Sequence, residues 1–239
     1  MRGPQVESSG ISGALSARAR PWIATSAAAV GWGTFTMVIL HVVSGYNPIT
    51  DTLSSYAYTE QGDGMLEASV LSLAIGSLVL IGALLTANLP IRGTPAFLLV
   101  LWAGGLSSAA MFPASFIAHP APATGEIHQW SCVIAFLSLP GAGFALADRM
   151  RTRPELHDAR RTVLKLSLLS AATLVLFGIS YVLLRFPDVA LLESLSDALP
   201  VGFTQRVALA ADLVLLAGLL RVATKVARSY PAQPQQEAA

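Results

Sequence analysis

The chain has 239 residues, of which 54% are hydrophobic and only 12% charged, against the roughly 25% charged residues of ordinary soluble domains. That composition excludes a water-soluble globular protein, and the formal net charge of +1 offers no broad basic surface for nucleic acid. A single cysteine, Cys132, excludes an intrachain disulfide, and its apolar surroundings in sequence mark it as a small packing residue.

In chain order, residues 1–20 are rich in Gly, Ser and Ala and lack any apolar period, so they read as a disordered tail. Arg18 and Arg20 then precede an apolar run in the manner of a signal peptide. The run continues to Val43, beyond the length of a signal h-region, and no cleavage site follows, so it is a retained span. Six blocks have the length of about 20 residues that a helix needs to cross a bilayer: Trp22–Val43, Glu67–Leu89, Ala96–Ile117, Gln129–Ala147, Val163–Leu184 and Arg206–Thr224. Residues 225–239 form a second disordered tail. The expected fold is therefore all-α: a six-transmembrane-helix bundle over residues 21–224, with short loops and antiparallel neighbours.

The first loop carries the most structured polar stretch, from Tyr46 to Tyr56. Asn47 is placed to cap a helix with Pro48 at its first position, and Ile49, Leu53 and Tyr56 recur on one face. A short interfacial helix is expected there. Thirteen of the fifteen Lys and Arg residues lie in the tails or in the second and fourth loops, which the positive-inside rule assigns to the cytoplasm. Loops one, three and five then face outward and gather Asp51, Glu60, Asp63, Glu126, Asp188, Glu193 and Asp197. The basic fourth loop has two readings: it only fixes topology, or it also touches anionic lipid headgroups.

Small residues four apart, Ser72/Gly76, Gly104/Ser108, Gly105/Ala109 and Gly141/Ala145, predict close helix packing. A weak internal repeat pairs Phe112-Pro113 and Gly125 to Gln129 in one helical hairpin with Phe186-Pro187 and Gly202 to Arg206 in the next.

The segment Asn47-Pro48-Ile49-Thr50-Asp51-Thr52-Leu53-Ser54, with Phe112-Pro113, Gly125-Glu126-Ile127-His128 and Gly202 to Arg206, resembles the bacterial membrane protein family called domain of unknown function 998, over about Trp22 to Thr224. The resemblance implies a fold, site positions and a bacterial plasma membrane, but no activity. Where relatives of this type often carry an acid shortly after Phe-Pro, this chain has Ala114 and Ser115.

Groups suited to acid–base work fall at the outer ends of the spans: Asp51, Glu126 and His128, with Asp212 about two turns inside the sixth span. A carboxylate at that depth costs at least about 2.5 kcal/mol to insert, so Asp212 is expected to face the bundle and find a partner on another helix. Asp51, His128, Arg206 and Asp212 are expected to form one polar cluster, through an Asp51–Arg206 contact, with Ser54, Gln129, Gln205 and Arg206 as ligand-binding groups. His41, His119 and His128 lack the HxxH or HxxxH spacing of a zinc helix, so no metal is expected. No phosphate loop, zinc helix or nucleophile elbow occurs, so no cofactor is expected, and no histidine lies at a fixed spacing that would activate Ser54 or Ser55.

Three functions remain open: a polar outer-leaflet cavity that binds or passes a lipophilic ligand, small solute or proton; a membrane enzyme using carboxylate and imidazole groups on a lipid or isoprenoid-like substrate; and a scaffold without ligand. The partners implied are membrane lipids and a lipophilic small molecule, not nucleic acid.

Overall fold

The computed structural model describes residues 18–60, 62, 64–184 and 197–229. Phe186-Pro187 of the expected repeat, with Arg185, Asp188, Glu193 and Asp63, lies outside the described residues, as do most of both tails. Six long α-helices run in order among the described residues: α1 Ala19–Val43, α2 Met65–Thr86, α3 Thr94–Met111, α4 Pro122–Arg149, α5 His157–Leu183 and α6 Val201–Ser229. Each is long and apolar enough to cross a membrane. No strand occurs among the described residues.

Helix boundaries follow local chemistry. Phe112 closes α3 in an extended conformation, as a residue before proline must, and Pro122 opens α4 where its missing N–H costs nothing. Asn88 takes a left-handed φ of 56° after α2, so that Leu89 N–H reaches back to Leu84 C=O. At the other end of the chain α6 continues to Ser229, five residues beyond the predicted span, because Lys225 and Arg228 suit the negative end of a helix.

Consecutive helices pack side by side and α6 closes the ring, lying against α1, α2, α4 and α5. Small residues set the crossings. A methyl group on Gly76 would meet Val30 and Ala29 of α1, and one on Gly105 would meet the Ser131 carbonyl and Ala135 of α4. Gly104, expected to pack in the same way, faces open space instead. The core is apolar, with its few polar groups tied off: the wholly buried Trp102 donates from Nε1 to Ser77 Oγ at 2.9 Å. The exposed flanks are apolar too, as Leu168, Val175, Ile179 and Val182 of α5 show. Such a surface suits hydrocarbon rather than water.

The alternation sorts the polar ends. Loops one and three and the start of α6 share one end of the bundle. Every described Lys and Arg except Arg206 lies toward the other end, where Arg153 donates to Asn88 C=O and Arg160 to Ala147 C=O.

Candidate functional site

At the loop-one end the chain leaves α1 through a tight turn. Asn47 N–H donates to Asp51 Oδ2 at 2.8 Å, Asn47 Oδ1 accepts from Ile49 N–H at 2.9 Å, and Asp51 N–H closes back on Asn47 C=O. The predicted helix from Pro48 is thus a single turn. The short helix of this loop starts later, as a 3-10 helix over Leu53–Tyr58. Its first amide, Leu53 N–H, is capped from outside the loop by Gln205 Oε1 of α6 at 2.7 Å.

Arg206 ties the loop down. Its Nη1 donates to Asp51 C=O at 2.7 Å and to Gly202 C=O at 2.8 Å, Nη2 donates to Tyr56 Oη at 2.7 Å, and Nε donates to His41 Nε2 at 2.8 Å. The guanidinium also lies over the Tyr56 ring, 5.3 Å from its centre. His41 Nδ1 faces Met37 C=O at 2.6 Å and so must carry the hydrogen, which leaves Nε2 as the acceptor for Arg206. The expected Asp51–Arg206 contact forms through the Asp51 backbone, not its carboxylate. The carboxylate is spent on the Asn47 turn, whose geometry brings the carbonyl, rather than the side chain, round to α6.

His128 joins three elements. Its Nδ1 lies 2.8 Å from Phe112 C=O and 3.0 Å from Ala109 C=O, two of the unpaired carbonyls at the end of α3. Nδ1 therefore donates, Nε2 is the free lone pair, and Ser54 Oγ–H donates to it at 2.9 Å. Ser54 has no histidine at a fixed sequence spacing, and His128, 74 positions away, reaches it only through folding.

Both line a crevice between loop one and helices α1, α2, α3, α4 and α6. Its walls are apolar, including Val70, Leu106, Ala110, Phe136 and Leu209. The polar groups are Ser54, His128, Gln205 and Glu67. Glu67 sits inside the first turn of α2 with no partner among the described residues. Sequence reasoning assigned it no role, and its only signal was an acid at the start of an apolar span. Cys132 lines the same space.

The other expected residues lie elsewhere. Glu126 and Gln129 are exposed on α4, two positions before and one after the inward His128. At about 100° per residue neither shares its face. Asp212 is buried below the crevice, which reaches Leu209 on α6, and accepts from Ser170 Oγ of α5 at 2.5 Å. Its Oδ2 has no hydrogen-bond partner among the described residues. Asp51, His128, Arg206 and Asp212 thus do not form one cluster: Arg206 and the Asp51 backbone form one, Ser54 and His128 a second, Asp212 and Ser170 a third. His119 belongs to none, stacking on Tyr58 at 4.3 Å, while Tyr58 Oη donates to Ala114 C=O. No group of three potential metal ligands gathers among the described residues.

Six apolar helices of spanning length, five of which wall the crevice with loop one, define an all-helical transmembrane protein. The family model for protein of unknown function DUF998 matches residues 27–222, and the chain belongs to that family. None of the curated proteins and none of the solved structures matches it.

Proposed function

We propose that this chain is a multi-pass plasma-membrane protein, with both termini in the cytoplasm, whose crevice holds the apolar part of a lipid-like ligand and meets its polar end at Ser54, Glu67, His128 and Gln205. The observation that carries the reading is the crevice itself. Its wall is mostly apolar with a few converging polar groups, the make-up of an ordinary ligand site. Binding is favoured over passage of an ion or proton. Among the described residues the α6 wall below Gln205 is Leu209, and Asp212 pairs with Ser170 and does not line the crevice, which supports binding over passage.

The test uses a photoreactive acyl lipid in membranes, with adducts mapped by peptide mass. Adducts are expected around Leu66–Leu73 and Leu106–Pro113. Ala110→Trp, which fills the crevice, is expected to reduce labelling at least tenfold, whereas Val175→Trp on the exposed flank of α5 leaves it unchanged. Equal labelling of both variants would overturn the reading.

Orientation has its own measurement. The basic end, with Arg92, Arg149, Arg151 and Arg153, is assigned to the cytoplasm. A reporter active only outside the cytoplasm is expected to be active when fused after Ser55 or His119, and silent after Arg92 or Arg153. The opposite pattern would place the crevice on the cytoplasmic side.

A further inference from the structure

We propose that Ser54 and His128 are a nucleophile and its general base, and that the chain cleaves or transfers an acyl group held as an ester in the crevice; this rests on the lipid-binding reading above. Because His128 Nδ1–H is directed at Phe112 and Ala109 carbonyls, Nε2 can only accept, and the group it accepts from is Ser54 Oγ–H at 2.9 Å. A hydroxyl and a base in hydrogen-bond reach, the base fixed from behind by a third group, is the arrangement that activates serine.

The third group is unusual in kind but apt in charge. The two carbonyls belong to the C-terminal end of α3, where unpaired C=O groups and the helix dipole carry partial negative charge. They hold the ring orientation and stabilise the imidazolium formed when His128 takes a proton, the work a carboxylate does in a serine triad.

A donor for the developing oxyanion lies on the same wall. Gln205 Oε1 is fixed by Leu53 N–H, which sets the amide so that its NH2 faces away from that bond, and the NH2 donates to no group among the described residues. Gln205 is 7% exposed and lines the crevice, adjacent through Leu53 to the residue that carries the nucleophile. A donor preorganised in a dry site is what an acyl-transfer intermediate requires.

The reaction balances with water alone. His128 Nε2 takes the Ser54 hydroxyl proton as Oγ bonds to the ester carbonyl carbon. The C–O bond to the alcohol breaks, and the alcohol leaves with the proton from Nε2, giving an acyl-serine. Water then adds to the acyl carbon, giving its proton to Nε2. The Oγ–acyl bond breaks, Ser54 regains the proton, and a carboxylic acid leaves. A second alcohol in place of water makes the same sequence an acyl transfer.

The test treats the full chain in lipid nanodiscs with an alkyl fluorophosphonate and, separately, with a fluorogenic medium-chain acyl ester. A covalent adduct on Ser54 is expected. Ser54→Ala, which removes one hydroxyl, is expected to abolish both adduct and turnover, Ser55→Ala to retain both, and His128→Gln to lower the labelling rate at least about 100-fold, the usual size of a general-base contribution. Ser54→Ala is also expected to unfold at the wild-type temperature, which separates a chemical role from a structural one. A wild-type chain that takes the acyl lipid into the crevice but forms no fluorophosphonate adduct and cleaves no ester would overturn this proposal and leave the binding reading standing. A chain that takes up no acyl lipid would overturn both.

Discussion

Replacing Arg206 by methionine is expected to release loop one from the bundle and to lower the thermal unfolding temperature in detergent by roughly 6–12 °C. The side chain makes three contacts across long stretches of sequence, to Asp51 C=O, Tyr56 Oη and His41 Nε2. No carboxylate lies within ion-pair distance among the described residues, so these neutral acceptors and the Tyr56 ring carry the whole of Arg206's hold on the loop. Hydrogen bonds to a charged donor contribute about 1.5–3 kcal/mol each, and methionine leaves the buried Tyr56 hydroxyl and the His41 lone pair unmet. Because contacts within one network are not additive, a loss of about 3 kcal/mol is the reasonable expectation. For a chain of this size each kcal/mol corresponds to roughly 2–4 °C. Arg206→Lys is expected to fall between, since a single ammonium cannot match acceptors fanned around a planar guanidinium. Protease cleavage within residues 46–60 should rise in step. A methionine variant that melts within two degrees of wild type and resists cleavage would show that the loop is held by something else.

The second large effect is expected at Gly202, from a substitution that adds one methyl group. A Cβ there would collide with Asp51 C=O and stand 2.7 Å from Ile49 C=O, both backbone atoms that no rotamer change can move away. Loop one would have to retreat by about 1 Å. The same crossing holds Phe203 N–H to Ile49 C=O at 2.8 Å and the Arg206 bond to Asp51 C=O, so the retreat stretches both. Overpacking of this kind costs about 1–3 kcal/mol before lost hydrogen bonds are counted. Gly202→Ala is therefore expected to lower the unfolding temperature by several degrees and to weaken acyl lipid labelling in the crevice, whose roof is Leu53, Ser54 and Ala57. Gly104→Ala is the control: its added methyl meets nothing within 4 Å, so no loss of stability is expected. Equal behaviour of the two alanine variants would mean that the loop does not rest on α6 as described.

These effects concentrate on one crossing, which also joins two of the three polar clusters, Arg206 with the Asp51 backbone and Ser54 with His128. Arg206 and Gln205 are neighbours on α6, and each holds a different part of loop one: Arg206 the Asp51 carbonyl and Tyr56, Gln205 the amide of Leu53. Ser54 follows directly, so the position of its hydroxyl against His128 is set by two α6 side chains that do not touch His128. In the proposed chemistry Arg206 is accordingly a positioning residue.

The six spans and their order were legible in the amino-acid pattern, because a run of about 20 apolar residues has one stable way to cross hydrocarbon. The stop at Phe112-Pro113, the polar weight of loop one and the family resemblance were legible for the same local reason. Which side of each helix faces its neighbours was not. These spans are apolar nearly all round, so no stripe of polarity marks the inward face as it would in water. Glu126, His128 and Gln129 look equivalent in sequence, yet the turn of the helix sends only His128 inward. Asp212 had to have a partner on energetic grounds, but that the partner is Ser170 of α5 follows from how α5 crosses α6. Asp51 looked like a counter-ion for Arg206, and the tight turn after Asn47 gives that place to its carbonyl instead. Above all, Ser54 and His128 share no spacing that sequence can register. They meet because loop one folds back over the bundle onto α6 while α4 packs against the end of α3, two tertiary events that local pattern does not encode.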